Sequence, residues 1–180
     1  MKKVTLEQLK QLAINSKDDL RMKAHLINRD ITLYLHWSAS HYGQFFYNYH
    51  INVDQDGSVY ANADDLSKLK THTWNRNSGA IGIVLACCYN ADTSDFGPEP
   101  PTKAQIEAMA QIAAVLCEAL DLTIDIDHVM THAEAADLDD YGPATTCECW
   151  DLWFLPGTEK GEGGNLIRGK ACFYLQNDAG

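Results

Sequence analysis

The sequence predicts an α/β fold: a single domain with a central mixed β-sheet and helices packed on its faces. Three observations predict it. An uninterrupted apolar run, "AIGIVLACCY" at 80–89, has the composition of a central strand covered on both sides. Two stretches, about 5–16 and 102–120, place apolar residues at helical spacing behind a Thr-x-x-Gln capping box. A hairpin signal lies between them. No linker, internal repeat or low-complexity tract divides the 180 residues, a length that suits one domain with a full core.

Each element follows from its residues. Thr5 and Gln8 form the first capping box, and Leu6, Leu9, Leu12 and Ala13 make the apolar stripe of a helix over about 5–16. "ITLYLH", 31–36, reads as a buried strand. "HYGQFFYNYH", 41–50, is rich in aromatics and reads as a short helix leading into the next strand. "YHINVDQDGSVYAN" alternates apolar and polar residues about a turn at Asp54–Gly57, the pattern of a hairpin. After the strand at 80–89, "DTSDFGPEPP" is a loop. Thr102 and Gln105 then open the clearest helix, with Ile106, Met109, Ala110, Ala113, Leu116, Cys117 and Leu120 on one face. "DHVMTH" reads as a short strand ending at His132, "DLDDYGPATTCECW" as a loop, and "KACFYL", 170–175, as a final edge strand.

Composition removes several function classes. The net charge is −11, so the surface repels nucleic acid phosphates and anionic lipid. No stretch approaches the roughly 20 apolar residues that span a bilayer, so membrane insertion is not expected. The N-terminal segment is amphipathic and charged, with no apolar stretch of the signal-peptide kind. The expectation is synthesis in the cytoplasm without a signal peptide, with action elsewhere only after release or export by another system. The six cysteines are then expected as reduced thiols. Cys87, Cys88 and Cys117 read as small buried hydrophobes, and the Cys147-x-Cys149 spacing alone is weak evidence for metal.

The chemistry is expected at two histidines. His36 and His132 each close a strand and precede a polar loop, at the rim where sites are usually built. A hydrolytic zinc site uses three N, O or S ligands and keeps a fourth position open. Two imidazoles supply two of the three. The loop after His132 offers Asp137, Asp139, Asp140, Glu148 and Asp151 as carboxylates and Cys147 and Cys149 as thiolates.

Four stretches in order resemble the zinc-dependent N-acetylmuramoyl-L-alanine amidases of the type-2 amidase and peptidoglycan-recognition superfamily, small phage lysozyme-amidases included. "LYLHWSAS" is similar to the family's strand ending in a zinc histidine. "NYHINVDQDGSVY" is similar to its aromatic-histidine hairpin, "THTWNRNSGAIGIVL" to its His-containing loop and following Ile-Gly-Ile strand, and "VMTHAEAA" to the strand with the second zinc histidine and an acid two residues on. The likeness spans about 31–155 and implies an amidase-like fold over 1–180, with an N-terminal helix and a C-terminal extension around that core.

The resemblance also implies the site. His36 and His132 become zinc ligands. The third is Asp151, from the Trp-Asp of "CWDLW", with Asp140 of "DDYGP" the second choice. Family members carry a basic residue two positions before the third ligand. Here that position is Cys149, or Leu138 if Asp140 is the ligand, and neither is basic. Tyr49 and His72 are the candidate hydrogen-bond donors to the reacting centre. His50 reads as structural, Glu134 as an ion-pair partner, and Trp37, Tyr42 and Trp74 as aromatics flanking the cleft. The implied activity is zinc-dependent hydrolysis of the amide between N-acetylmuramic acid and L-alanine in peptidoglycan or muropeptides, as in bacteriolytic endolysins. A non-catalytic peptidoglycan-binding module of the same fold is the alternative. A nucleobase deaminase is disfavoured, because "TCEC" lacks the P-C-x-x-C spacing that such zinc sites need.

Overall fold

The structure is a computed structural model and describes residues 1–177. A six-stranded mixed sheet is built from β1 (Lys2–Lys3), β2 (Thr32–Trp37), β3 (Ile51–Val53), β4 (Val59–Ala61), β5 (Ala80–Leu85) and β6 (Val129–Thr131), in the order β1-β4-β3-β5-β2-β6. The hairpin β3–β4 and the edge pair β1–β4 are antiparallel, whereas β3, β5, β2 and β6 run parallel. The helices are α1 (Leu6–His25), α2 (Lys103–Leu120), α3 (His132–Leu138) and α4 (Gly163–Asn177). This is the α/β architecture expected, and the last three residues of the expected 1–180 unit lie outside the described residues.

Strand side chains alternate, and here the two faces are unequal. Leu33, Leu35 and Trp37 of β2 and Ile81, Ile83 and Leu85 of β5 join the large core with residues of α1, α2 and α4. α2 supplies Met109, Ile112, Leu116 and Leu120, all fully buried, each worth roughly 1.5–3 kcal/mol in area removed from water. Tyr34, Ala80 and Met130 point the other way, into a small cluster closed by Ala135 of α3. His36 follows the parity of Tyr34, so it sits on the thinly covered face, near the C-terminal end of its strand.

The capping boxes at Thr5–Gln8 and Thr102–Gln105 form, as does the hairpin turning after Asp54. Four readings need correction. α1 runs to His25, well past 16, because Ser16, Leu20 and Ala24 continue the buried stripe while Asn15, Asp18 and Asp19 carry its solvent side. Residues 41–50 form turns, not a helix. The Asn52 side chain holds this segment, accepting from Phe46 N at 3.0 Å and donating to Phe46 O at 3.3 Å. The strand at 80–89 ends at Leu85. "KACFYL" belongs to α4, because Ile167, Arg168 and Ala171 recur at helical spacing on its buried face. Its Lys170 and Tyr174, one turn apart, both reach Glu107 of α2 at 2.6 Å.

Candidate metal centre

Three distant residues meet at the C-terminal ends of β2 and β6. His36 is fully buried near the end of β2. His132 is the first residue of α3, where the strand β6 turns into a helix. Thr131 makes that turn possible: its extended backbone ends the strand and its hydroxyl accepts from Glu134 N at 3.1 Å, capping the helix. Asp151 arrives from the long loop after α3, between Leu152, which is fully buried, and Trp150, which packs edge-on against Trp37.

The geometry is convergent. Asp151 Oδ2 lies 2.9 Å from His36 Nδ1, and Asp151 Oδ1 lies 2.9 Å from His132 Nδ1. One ligand atom from each of the three residues lies within 4.8 Å of the other two. Asp140 is not in this group; it sits exposed in the turn after α3. Burial opposes ionisation of Asp151, but the two imidazoles outweigh it and hold the carboxyl far below the usual carboxylate range. Burial also opposes the His132 cation, and the Asp151 charge reverses this, raising that imidazole to about 10. For His36 burial prevails and the pKa falls. Two imidazole nitrogens with a carboxylate oxygen are a zinc donor set. On that chemistry the residues fit the ion.

Residues 9–150 match the family model described as N-acetylmuramoyl-L-alanine amidase. The chain belongs to the N-acetylmuramoyl-L-alanine amidase family. No curated protein matches it. Similar solved structures include the endolysin amidase LysCS of Clostridium intestinale, at 14% identity over 60% of this chain and 71% of that one, with a TM-score of 0.43. The amidase LysC of the same organism matches at 14% over 65% and 80%, TM-score 0.44. PGRP-Hd from Alvinella pompejana matches at 18% over 57% and 72%, TM-score 0.39.

In this amidase-family chain two further expected residues, Tyr49 and His72, lie beside the triad. The Tyr49 ring lies 5.0 Å from that of His36, and burial, then the Asp151 charge, pushes its phenol well above its ordinary value. His72 is 5.3 Å from His36, ring to ring. Its Nδ1 faces Thr73 Oγ1 at 3.0 Å, and that hydroxyl is also 3.4 Å from His36 Nε2. Its Nε2 is buried with no hydrogen-bond partner among the described residues. Tyr49 and His72 line a recess of about 240 Å³ with Ser38, Phe46, Asn48 and Thr71. A roomier groove of about 530 Å³, beside β1 and lined by Gln8, Leu12 and Lys68 among others, brings no metal donors together.

His50 is structural. Its Nε2 donates to Lys68 O at 2.8 Å and its Nδ1 accepts from Gly82 N at 3.0 Å, so the ring stitches β3 to β5. Trp37 is not a cleft residue: it is 4% exposed in the core, edge-on to Phe96, Trp150 and Phe154. Tyr42 packs against the core and donates to Pro100 O. Trp74 alone of the three stands free, 62% exposed and edge-on to Tyr141, whose hydroxyl is 3.5 Å from His132 Nε2. The Cys149 thiol also reaches His132. Residues missed by sequence reasoning are Thr73, Gly82 and Arg168. The apolar "IGI" strand conceals that a Cβ at Gly82 would stand 2.6–2.8 Å from the His72 ring.

Proposed function

We propose that this chain, over its whole length as one unit, is a zinc-dependent amidase that cleaves the bond between N-acetylmuramic acid and L-alanine in peptidoglycan or muropeptides. His36, His132 and Asp151 hold the metal. One observation carries the reading: two imidazole Nδ1 atoms each stand 2.9 Å from opposite oxygens of a single carboxylate, in a chain of the amidase family. Zinc held there would supply Lewis acidity, polarising the scissile carbonyl and acidifying the attacking water.

The remaining work falls to the protein. Burial, then the Asp151 charge, raises the Tyr49 phenol above its ordinary value, so it is protonated near neutral pH. It is therefore a donor, and its ring 5.0 Å from that of His36 supports the reading that it hydrogen-bonds the oxyanion forming on the amide carbonyl. His72 is the other proposed donor; its free nitrogen is sealed against Gly82, so it has to turn to reach substrate. The recess beside Tyr49 receives part of the substrate next to the triad. Exposed Trp74, edge-on to Tyr141, offers a flat apolar face for a sugar ring.

A binding-only module draws support from Cys149, which stands where relatives with the resembling motif carry a basic residue. Mass spectrometry of muropeptides separates the readings. The catalytic reading predicts free stem peptide with an L-Ala N-terminus, abolished by chelator and by His132→Ala. Stoichiometric zinc with intact muropeptide would establish the module. Activity undiminished in His132→Ala would refute the site.

A further inference from the structure

We propose that Arg168, on the helix beyond the family-matched residues 9–150, is a positioning residue for His132. The inference rests on reading His132 as a metal ligand. The His132 ring meets Asp151, and its backbone is set by the turn from β6 into α3. Three hydrogen-bonding groups of that turn are held from outside by one guanidinium. Arg168 Nη2 donates to Glu134 Oε1 at 2.7 Å and Nη1 to Glu134 Oε2 at 2.9 Å. Nη1 also donates to Val129 O, the first residue of β6, at 2.9 Å. Glu134 Oε2 in turn accepts from Thr131 N at 2.8 Å, the backbone immediately before His132.

The arrangement is built, not incidental. Arg168 is 9% exposed, and its fourth contact, to Asn165 Oδ1 at 2.6 Å, fixes the fork from its own helix. A planar five-donor fork matches a carboxylate in a way that lysine cannot. Gly164 makes room for it: a Cβ there would lie 2.5 Å from Glu134 Oε1 and 2.8 Å from Arg168 Nη1. The Glu134 that the family-like motif places two residues after His132 thus finds its partner on α4. Outer groups that orient a metal ligand are typically worth about 10–100-fold in affinity.

The test reads zinc affinity of the intact chain by competition with a chromophoric chelator, with circular dichroism and thermal midpoint alongside. Arg168→Met should weaken zinc about ten-fold or more while the fold persists. Arg168→Lys should recover only part of this, and adding Glu134→Gln to Arg168→Met should cost little further. A folded Arg168→Met chain with a lowered midpoint but wild-type zinc affinity would overturn the proposal, leaving the pair as an anchor of α4 alone. If Arg168→Met does not fold, Gly164→Ala decides, since it crowds the pair without removing a hydrogen-bonding group. Weakened zinc there supports the proposal and unchanged zinc overturns it. His132→Ala keeps the two readings apart. If wild type and His132→Ala bind zinc equally, the triad reading falls and this inference with it. If His132→Ala loses zinc and Arg168→Met does not, only this inference falls.

Discussion

The buried imidazoles differ in what their two nitrogens do, and burial lowers His36, His50 and His72 while the Asp151 charge raises His132. His50 has both engaged, one as donor and one as acceptor, and burial pulls it down to about 4. Its unfolded value is near 6.5, so protonation favours the unfolded chain. The stabilisation is whole above about pH 6.5 and is lost as pH falls toward 4, by up to about 1.4 kcal/mol per unit and about 3 kcal/mol in all. His36 and His72 are shifted the same way and add to the loss, while His132, shifted up, partly offsets it as pH falls from 7 to about 6.5. Urea unfolding of zinc-free protein at pH 7 and pH 5 should show it, and a His50→Gln chain, which cannot be protonated there, should show less. Stability that stays flat between these pH values contradicts the neutral clamp. Tyr49 carries a separate expectation. Tyr49→Phe should lower kcat by about 10²–10³-fold with zinc content unchanged; an equal loss of zinc would make the residue structural.

The elements determine which residues can meet, and here the sequence is legible only in part. β2 is readable as a strand from "ITLYLH", and its parity puts His36 opposite the core because Leu33 and Leu35 are apolar on the other side. His132 is readable as a strand end, although the helix it begins is not, since "HAEAADL" has only alanines to show a buried face. The pairing of Asp151 with two imidazoles is not readable from spacing, because 115 residues separate it from His36; the motif resemblance found it. α4 is missed because Cys-Phe-Tyr mimics a strand, and its role depends on Arg168 reaching Glu134 across 34 residues. Gly82 belongs to the same class of contact. Gly82→Ala should cost about 1–3 kcal/mol by overpacking the His72 ring, and through Thr73 it should also weaken zinc. Equilibrium unfolding and chelator competition on one preparation measure both, and a wild-type result in both would show that the ring has room to move.

At the scale of the whole molecule, a mixed sheet with one face under three helices leaves its other face to hold the triad. Among the described residues no helix is long and apolar enough to cross a membrane, and the charge of −11 gives no general attraction to anionic polymer. On the proposed reading, recognition of the wall would rest on the recess beside Tyr49 and on exposed Trp74. Metal should also stabilise the fold, since zinc at 100 times its Kd adds about 2.7 kcal/mol, or roughly 5–10 °C in Tm for a chain of this size, and chelator should reverse the shift. The most direct measurement is the zinc content of the protein purified without chelator, compared with His36→Ala, His132→Ala and Asp151→Asn. One zinc per chain in the parent and none in each folded variant is the expected result. A parent without zinc, or an Asp151→Asn chain that keeps a full equivalent, would contradict the assignment.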